Sequence, residues 1–166
     1  MAEYTLKHFG NLPIDNLEEY YKVDIEFNGN EIQIDLNFEN KNIDLLSMDK
    51  VKNFIENIGV FDKQNESHIF NDYNDEDGDT VKFYLEDHLE EVDEDVLSNL
   101  INFNDKSTKP EKQLLNKLKL IRVGLYPHDK DIFAVFDYSI GKDITDYLIV
   151  INTDENGKLH YMTTES

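Results

Sequence analysis

The chain of 166 residues contains no cysteine and no tryptophan. Without cysteine it cannot form disulfide bonds, thiolate metal sites or a cysteine nucleophile, and this absence fits a reducing compartment. No apolar run approaches the roughly 18 residues that a membrane-spanning helix requires. The N-terminal residues lack the basic and apolar segments of a secretory signal. We therefore expect a cytoplasmic protein without a membrane partner.

Glycine and histidine are also scarce, with 7 and 5 residues respectively. The glycines do not form the patterns of dinucleotide or P-loop phosphate sites. The serine patterns of α/β-hydrolases and β-lactamases do not occur either. The histidines lie far apart and do not form the paired motif of zinc proteases. The sequence thus predicts no catalytic residue, no metal site and no cofactor.

Acidic residues dominate the chain, which carries 36 acidic and 16 basic side chains and a net charge of −20. Residues 1–100 contain 26 acidic and 7 basic side chains, a net charge of −19, whereas residues 101–166 contain 10 and 9, a net charge of −1. A field of this sign repels nucleic-acid phosphates and anionic membranes and attracts basic proteins. We expect no nucleic-acid partner and consider a basic protein as the partner. The alternative is a solvated surface that only keeps the protein dispersed.

Residues 22–38 alternate apolar and polar side chains around an Asn-Gly pair, which predicts a β-hairpin. A turn centred on Asn28-Gly29 would pair Ile25 with Ile32. A turn one residue later would instead pair Phe27 with Ile32. Both registers keep the apolar side chains on one face, so the sequence leaves the register open.

Residues 47–118 change to helical spacing of the apolar side chains. Ser47 is predicted to cap the first helix and Gly59 to follow its end in the left-handed conformation. A second helix is predicted over about residues 61–72. A third helix follows an acidic loop and has its inward face at Val81, Tyr84, Leu85, His88, Leu89 and Val92. For His68, on the inward side of the second helix, and for His88 we expect a hydrogen-bonded structural role.

The C-terminal residues alternate with the period of strands. Short connections between four such segments predict an antiparallel meander. The fold class is therefore α+β, an antiparallel sheet with a central helical segment packed on it. We expect a single domain of residues 1–166, with a hairpin region, a mostly helical part and a meander at residues 1–40, 47–118 and 119–166.

The same patterns predict the residues of the core. We expect ten buried apolar side chains: Val23, Ile25, Ile34, Leu36, Phe54, Ile55, Leu85, Leu89, Phe136 and Ile149. Asp137 lies next to the apolar run Phe133–Phe136, and we expect it to be partly buried and hydrogen-bonded.

The densest acidic stretch, residues 72–95, holds 12 acidic side chains and one lysine, Lys82. It does not fit a calcium-binding EF-hand loop, because placing Gly78 at the invariant glycine position puts Tyr73 and Tyr84 where carboxylates are required. Acidic residues at helix N-termini are favourable without any ligand. We predict that a partner would bind to seven residues of this stretch: Asp75, Glu76, Asp77, Asp79, Glu86, Glu90 and Glu91.

Several acidic and aromatic segments lie along the chain: Leu17–Tyr21, Ile34–Asn40, Asp75–Val81, His88–Glu91, Val123–Pro127 and Phe133–Tyr138. Together they resemble a family of acidic bacterial proteins, the domain of unknown function 2004. The resemblance implies a bacterial origin and a stand-alone domain. It brings no known activity, ligand or catalytic residue.

The leading functional hypothesis is a non-catalytic acidic module that binds a basic protein, for example as an inhibitor or immunity-like protein. The alternative is an enzyme of an unrecognised type that uses scattered carboxylates and histidines, with or without a divalent metal. A concave pocket with converging polar groups would favour the enzyme. A flat or convex acidic face with exposed tyrosine or phenylalanine would favour the module. The oligomeric state has no signal in the sequence.

Overall fold

The computed structural model describes residues 2–166 and shows an α+β fold, as predicted. Eight strands are present in this range: β1 Glu3–Leu6, β2 Gly10–Pro13, β3 Tyr20–Phe27, β4 Asn30–Asn37, β5 Lys119–Leu125, β6 Ala134–Ser139, β7 Leu148–Thr153 and β8 Leu159–Glu165. The helices are α1 Leu45–Glu56, α2 Ile58–Asn74, α3 Thr80–Glu91, α4 Glu94–Leu97 and α5 Pro110–Leu115. None of the helices described is both long and apolar enough to cross a membrane.

Strands β3 to β8 form one six-stranded sheet in the order β3-β4-β5-β6-β7-β8. The predicted hairpin β3–β4 and the predicted meander β5–β8 are both antiparallel. They meet through a parallel pair, in which Ile34 of β4 lies opposite Val123 of β5. Parallel neighbours need a long crossover connection, and the five helices supply it between β4 and β5.

The hairpin register is the first of the two alternatives. Ile25 pairs with Ile32, and Asn28 and Gly29 form the turn between Phe27 and Asn30. Both turn residues have positive φ, 50° for Asn28 and 82° for Gly29. A turn with two left-handed residues matches the twist of the flanking strands, and Asn-Gly is its preferred sequence.

Two predicted helix boundaries are wrong. Helix α1 begins at Leu45 and is capped by Asp44, whose Oδ1 accepts a hydrogen bond from the Ser47 backbone N–H at 2.7 Å. Ser47 is therefore inside the helix, because the carboxylate three residues earlier takes the capping role. Gly59 lies near the start of α2 and not after α1, since the chain turns at Asn57 and the next helix begins at Ile58.

The short hairpin β1–β2 has no counterpart in the sequence prediction. Its strands have four residues each, and they pair antiparallel with Tyr4 opposite Leu12. Leu6 and Leu12 are buried in the core. The region of residues 1–40 thus contains two hairpins.

The core lies between the sheet and helices α1 to α3, and its centre is aromatic. Phe54 of α1 stacks on Phe61 of α2 with ring centroids 4.3 Å apart. It also contacts Phe133, just before β6, and Phe136 of β6, at centroid distances of 5.3 and 5.8 Å. Seven of the ten predicted core residues are buried, and the other three, Val23, Ile25 and Leu89, are half-buried. Val23 and Ile25 are only half-buried because β3 is the edge strand of the sheet.

Candidate functional site

The seven acidic residues predicted to bind a partner lie on α3 and on the loop that precedes it. All seven are exposed. The loop between α2 and α3 carries Asp75, Glu76, Asp77 and Asp79, and α3 itself carries Glu86, Glu90 and Glu91. The structure thus brings the predicted residues to one region of the surface.

Three of these residues and one phenylalanine form a line along the outside of α3, which we call the outer stripe: Asp79, Phe83, Glu86 and Glu90. At 3.6 residues per turn, spacings of four, three and four residues keep side chains on one face. The opposite face carries the buried residues Val81, Tyr84, Leu85 and His88. Phe83 is 53% exposed in the middle of the stripe. Glu91 lies about 100° around the helix from Glu90 and does not join it.

The fold makes little use of these carboxylates. Among residues 2–166, none of the seven forms an ion pair. Only Asp75 accepts a hydrogen bond through its side chain, from the Asp77 backbone N–H at 3.0 Å. The N-terminus of α3 is held by Asp72, whose Oδ2 accepts from the Val81 backbone N–H at 2.8 Å, whereas Asp79 makes no capping bond. Hydrogen-bonded capping therefore accounts for Asp72 and not for the predicted set.

The acidic loop is held by hydrogen bonds within its own backbone. Its backbone closes two turns, with Asp75 N–H donating to the Asp72 carbonyl and Gly78 N–H donating to the Asp75 carbonyl. A side chain at Gly78 would meet the Asp72 carbonyl oxygen at 2.1 Å, so only glycine fits there. A loop that is ordered before binding loses less entropy when a partner binds.

A pocket of ≈ 320 Å³ lies between α2, the β3–β4 turn and the start of β5. Its apolar wall consists of Phe27, Ile69, Phe70, Leu115, Leu118 and Leu120. Its polar side chains are Asn28, Asn30, Asp62, Glu66, Asn116, Lys119 and Tyr138. The volume is at the lower end of the range of about 300–1,000 Å³ that small-molecule sites occupy.

The buried polar groups of this pocket are Asp62 and Tyr138, which are 6% and 2% exposed. The Tyr138 hydroxyl donates a hydrogen bond to Asp62 Oδ1 at 2.7 Å. No cation among residues 2–166 pairs with Asp62. Burial raises the pKa of Asp62, and the bond from Tyr138 opposes this rise. Burial and the neighbouring Asp62 charge raise the pKa of Tyr138 well above its usual value.

A second buried polar side chain, Asn65, follows Asp62 by one turn of α2. It is 0% exposed, and neither polar atom of its amide has a hydrogen-bond partner among residues 2–166. Buried polar groups without hydrogen-bond partners are rare in folded proteins, and a functional role is one explanation for them.

The buried polar residue that α2 contributes to this pocket could have been noticed from the sequence. The buried side of α2 consists of Ile58, Phe61, Asp62, Asn65 and Ile69. A carboxylate and an amide within an otherwise apolar helical stripe are unusual, because burying a polar group without a partner costs free energy. Tyr138 gave no such signal, since it is 76 residues away in the chain and meets Asp62 only in the fold.

The buried charge of Asp62 has a measurable consequence for stability. The pKa of Asp62 is higher in the folded protein than in the unfolded chain, so ionisation of Asp62 favours unfolding. The stability that the protonated Asp62 provides is therefore lost as pH rises from about 4 through the pKa of the folded protein. We expect Asp62→Asn to be more stable than the wild type near pH 7, where its amide oxygen still accepts from Tyr138. Urea unfolding of both proteins between about pH 3 and pH 8 measures this difference.

The matched control is Glu66→Gln, which removes the same charge from an exposed position one turn later. It should leave the pH dependence unchanged within about 0.5 kcal/mol. An Asp62→Asn protein that is less stable than the wild type near neutral pH would show that the Asp62 charge is compensated in the fold.

Arg122, the only arginine in the chain, holds a second polar cluster on the other face of the sheet. Its Nε and Nη2 donate to the two carboxylate oxygens of Asp35 at 2.7 and 2.9 Å. It also donates to Asp137 at 3.3 Å and to the Tyr126 hydroxyl at 3.0 Å. Asp137 is hydrogen-bonded, as predicted, and it is buried more completely than the partial burial expected. Burial raises its pKa, and Arg122 opposes the rise. This cluster is internally paired and serves the fold.

The hydrogen-bonded role predicted for two histidines is confirmed for His88 only, because the half-buried His68 forms no side-chain hydrogen bond within residues 2–166. The buried ring of His88 contacts the Tyr84 carbonyl through Nδ1 at 2.6 Å and the Thr145 hydroxyl through Nε2 at 2.9 Å. Within residues 2–166, no three histidine, aspartate or glutamate side chains lie close enough together to hold a metal ion.

Comparisons with protein-family models, curated proteins and solved structures find no match to this chain. The resemblance to the domain of unknown function 2004 therefore stays a prediction. The protein has two surface features that can carry a function, the outer stripe with its acidic loop and the pocket at Asp62.

Proposed function

We propose that this protein is a non-catalytic module that binds a basic protein through the outer stripe of α3 and the acidic loop before it. The observation that supports the proposal most is that these carboxylates contribute almost no ion pairs or hydrogen bonds to the fold. All seven are exposed and unpaired, and six accept no side-chain hydrogen bond among residues 2–166. Clustered charges without partners repel each other and weaken the compact state, so a role outside the fold accounts for them better than a role within it.

The outer stripe combines the two properties that fast and tight binding require. Negative charge accelerates association with a cationic partner and orients it. Phe83 offers an exposed aromatic group surrounded by that charge, and buried aromatic residues contribute most of the affinity at many interfaces. Helix α3 has 12 residues and extends about 18 Å, which provides a rigid acidic rod. An inhibitor of a cationic nuclease or toxin is the form of this function that we favour.

The alternative, an enzyme with scattered carboxylates and histidines, is favoured by one observation. The pocket brings Asp62, Glu66 and Tyr138 together in a concave site, and two of these groups have raised pKa values. No histidine is among the residues that line it.

Charge reversal tests the proposed function. We expect the triple variant Asp79→Lys, Glu86→Lys and Glu90→Lys to bind the basic partner, isolated by affinity capture from the source cells, at least about tenfold more slowly at low salt. Near 1 M salt the difference should shrink, because the Debye length falls to about 3 Å. Surface plasmon resonance with purified partner measures both rate constants.

A matched control changes the same number of charges elsewhere. Asp131, Asp143 and Asp146 are exposed and accept no side-chain hydrogen bond among residues 2–166, so their reversal to lysine tests the effect of net charge alone. It should slow association much less. Phe83→Ala should instead accelerate dissociation and leave the salt dependence of association unchanged. Equal losses in both triple variants would refute a localised surface on α3.

A further inference from the structure

We propose that the pocket between α2, the β3–β4 turn and β5 binds a small organic amine, with the ammonium group on Asp62 and the apolar body against the leucine and phenylalanine wall. This inference concerns a different surface from the outer stripe and does not depend on the proposed function. A protein partner on α3 and a small molecule in this pocket can each be present without the other.

The charge of Asp62 is the first argument. Its carboxylate is 6% exposed and has one protein partner, the Tyr138 hydroxyl at Oδ1. The second oxygen accepts no hydrogen bond from residues 2–166, and no lysine, arginine or histidine of that range pairs with either oxygen. Buried charges in proteins are paired or bound to ligands because an isolated one is costly. An ammonium group supplies the charge and the donor that the fold does not provide.

The contrast with the other buried carboxylates strengthens this argument. Asp35, at 0% exposure, receives two hydrogen bonds from Arg122, and Asp137 receives a third. The fold thus pairs the other two buried aspartates with Arg122. Within residues 2–166 it supplies no such cation to Asp62, which lines the pocket where a ligand can reach it.

The shape of the pocket defines the rest of the ligand. Asp62 and Tyr138 are buried, whereas Glu66, Phe70 and Lys119 are exposed, so the mouth lies on the side of these three residues. Six apolar side chains form the wall, and the volume of ≈ 320 Å³ suits a molecule of one ring with a short chain. An amine with an aromatic or branched aliphatic body matches both ends of the site.

Anionic ligands fit this site poorly. The lining carries two carboxylates, Asp62 and Glu66, against one ammonium, Lys119, and Lys119 pairs with neither of them. The net charge of −20 adds a negative field over the whole molecule. Because the deepest charged group is a carboxylate, an anion would have to approach it directly.

Three probes with similar skeletons test the inference: phenethylamine, phenylethanol and phenylpropionate, which are a cation, a neutral alcohol and an anion. Titration is followed by amide chemical shifts in two-dimensional NMR. We expect phenethylamine to bind saturably with a Kd of about 1 mM or tighter, as a fragment of this size allows. The shifts should map to α2, the β3–β4 turn and the start of β5. Phenylethanol should bind at least about tenfold more weakly, since it lacks the charge-assisted bond.

The variant Asp62→Asn keeps the size of the side chain and its bond from Tyr138, and it should bind phenethylamine at least about tenfold more weakly. The matched control Asp146→Asn makes the same change at an exposed position outside the pocket and should bind it like the wild type. Circular dichroism confirms that both variants fold. Absence of saturable phenethylamine shifts at the pocket, equal or tighter binding of the alcohol or the anion, or full affinity in Asp62→Asn would each overturn the inference.

Discussion

Replacing Arg122 with methionine should destabilise the protein by about 3–5 kcal/mol, the cost of removing one partner from a buried ion pair. Asp35 is 0% exposed and receives two hydrogen bonds from Arg122, so Arg122→Met leaves its charge buried and without a cation. The hydrogen bonds from Gln33 and Asn37 to Asp35 remain, but they are neutral donors. Urea unfolding near pH 7 measures the loss.

Two further variants separate charge from geometry. Arg122→Lys keeps the positive charge and loses the planar pair of donors, so its stability should fall between that of the wild type and that of Arg122→Met. The double variant Asp35→Leu with Arg122→Met also removes the buried charge of Asp35 and should recover the part of the loss that this charge causes. The part due to Asp137, which loses its bond from Arg122 in both variants, should remain. A loss below about 1 kcal/mol in Arg122→Met would show that water reaches Asp35 in the folded protein.

The sequence predicted the elements of this fold better than their connections. Strict alternation around Asn28-Gly29 predicts a hairpin, and the helical and strand periods of the rest are local properties of the chain. The parallel contact of β4 with β5 brings together residues such as Ile34 and Val123, which are far apart in the chain. No local pattern encodes that contact, because it forms only when the helices pack on the sheet.

The predicted helix boundaries are wrong where the local sequence offers more than one way to start or end a helix. Serine and aspartate are both residue types that cap helices, and in the structure Asp44, not Ser47, caps α1. Gly59 reads as a helix end by its residue type, yet the chain bends two residues earlier, at Asn57, and continues as α2. The hairpin β1–β2 was missed because strands of four residues show too few alternations to stand out.

Of the two candidate sites, one is formed by residues close together in the sequence and the other by residues that meet only in the fold. The acidic residues of α3 and its loop are neighbours in sequence, so their clustering could be predicted, and helical geometry places Phe83 among them. The pocket depends on contacts between α2 and β6, as in the bond from Tyr138 to Asp62. Only the packed structure shows that Asp62 is buried and forms no ion pair within residues 2–166, and that Arg122 pairs with Asp35 and Asp137.

Replacing Phe54 with alanine should cost about 3–5 kcal/mol, as for other buried phenylalanines. Phe54 is 0% exposed and packs on Phe61, Phe133 and Phe136, so its removal opens a cavity between α1, α2 and β6. For a chain of this size the loss corresponds to a fall in Tm of about 10 °C. Thermal and urea unfolding monitored by circular dichroism measure it.

The control for this substitution is Phe83→Ala, the same chemical change at a residue that is 53% exposed. Its stability should stay within about 0.5 kcal/mol of the wild type, although it should shorten the lifetime of a complex with a basic partner. The pair of variants thus separates the two roles of phenylalanine in this protein, packing at Phe54 and recognition at Phe83. If Phe54→Ala cost less than about 1 kcal/mol, α1 would not pack on β6 through this ring.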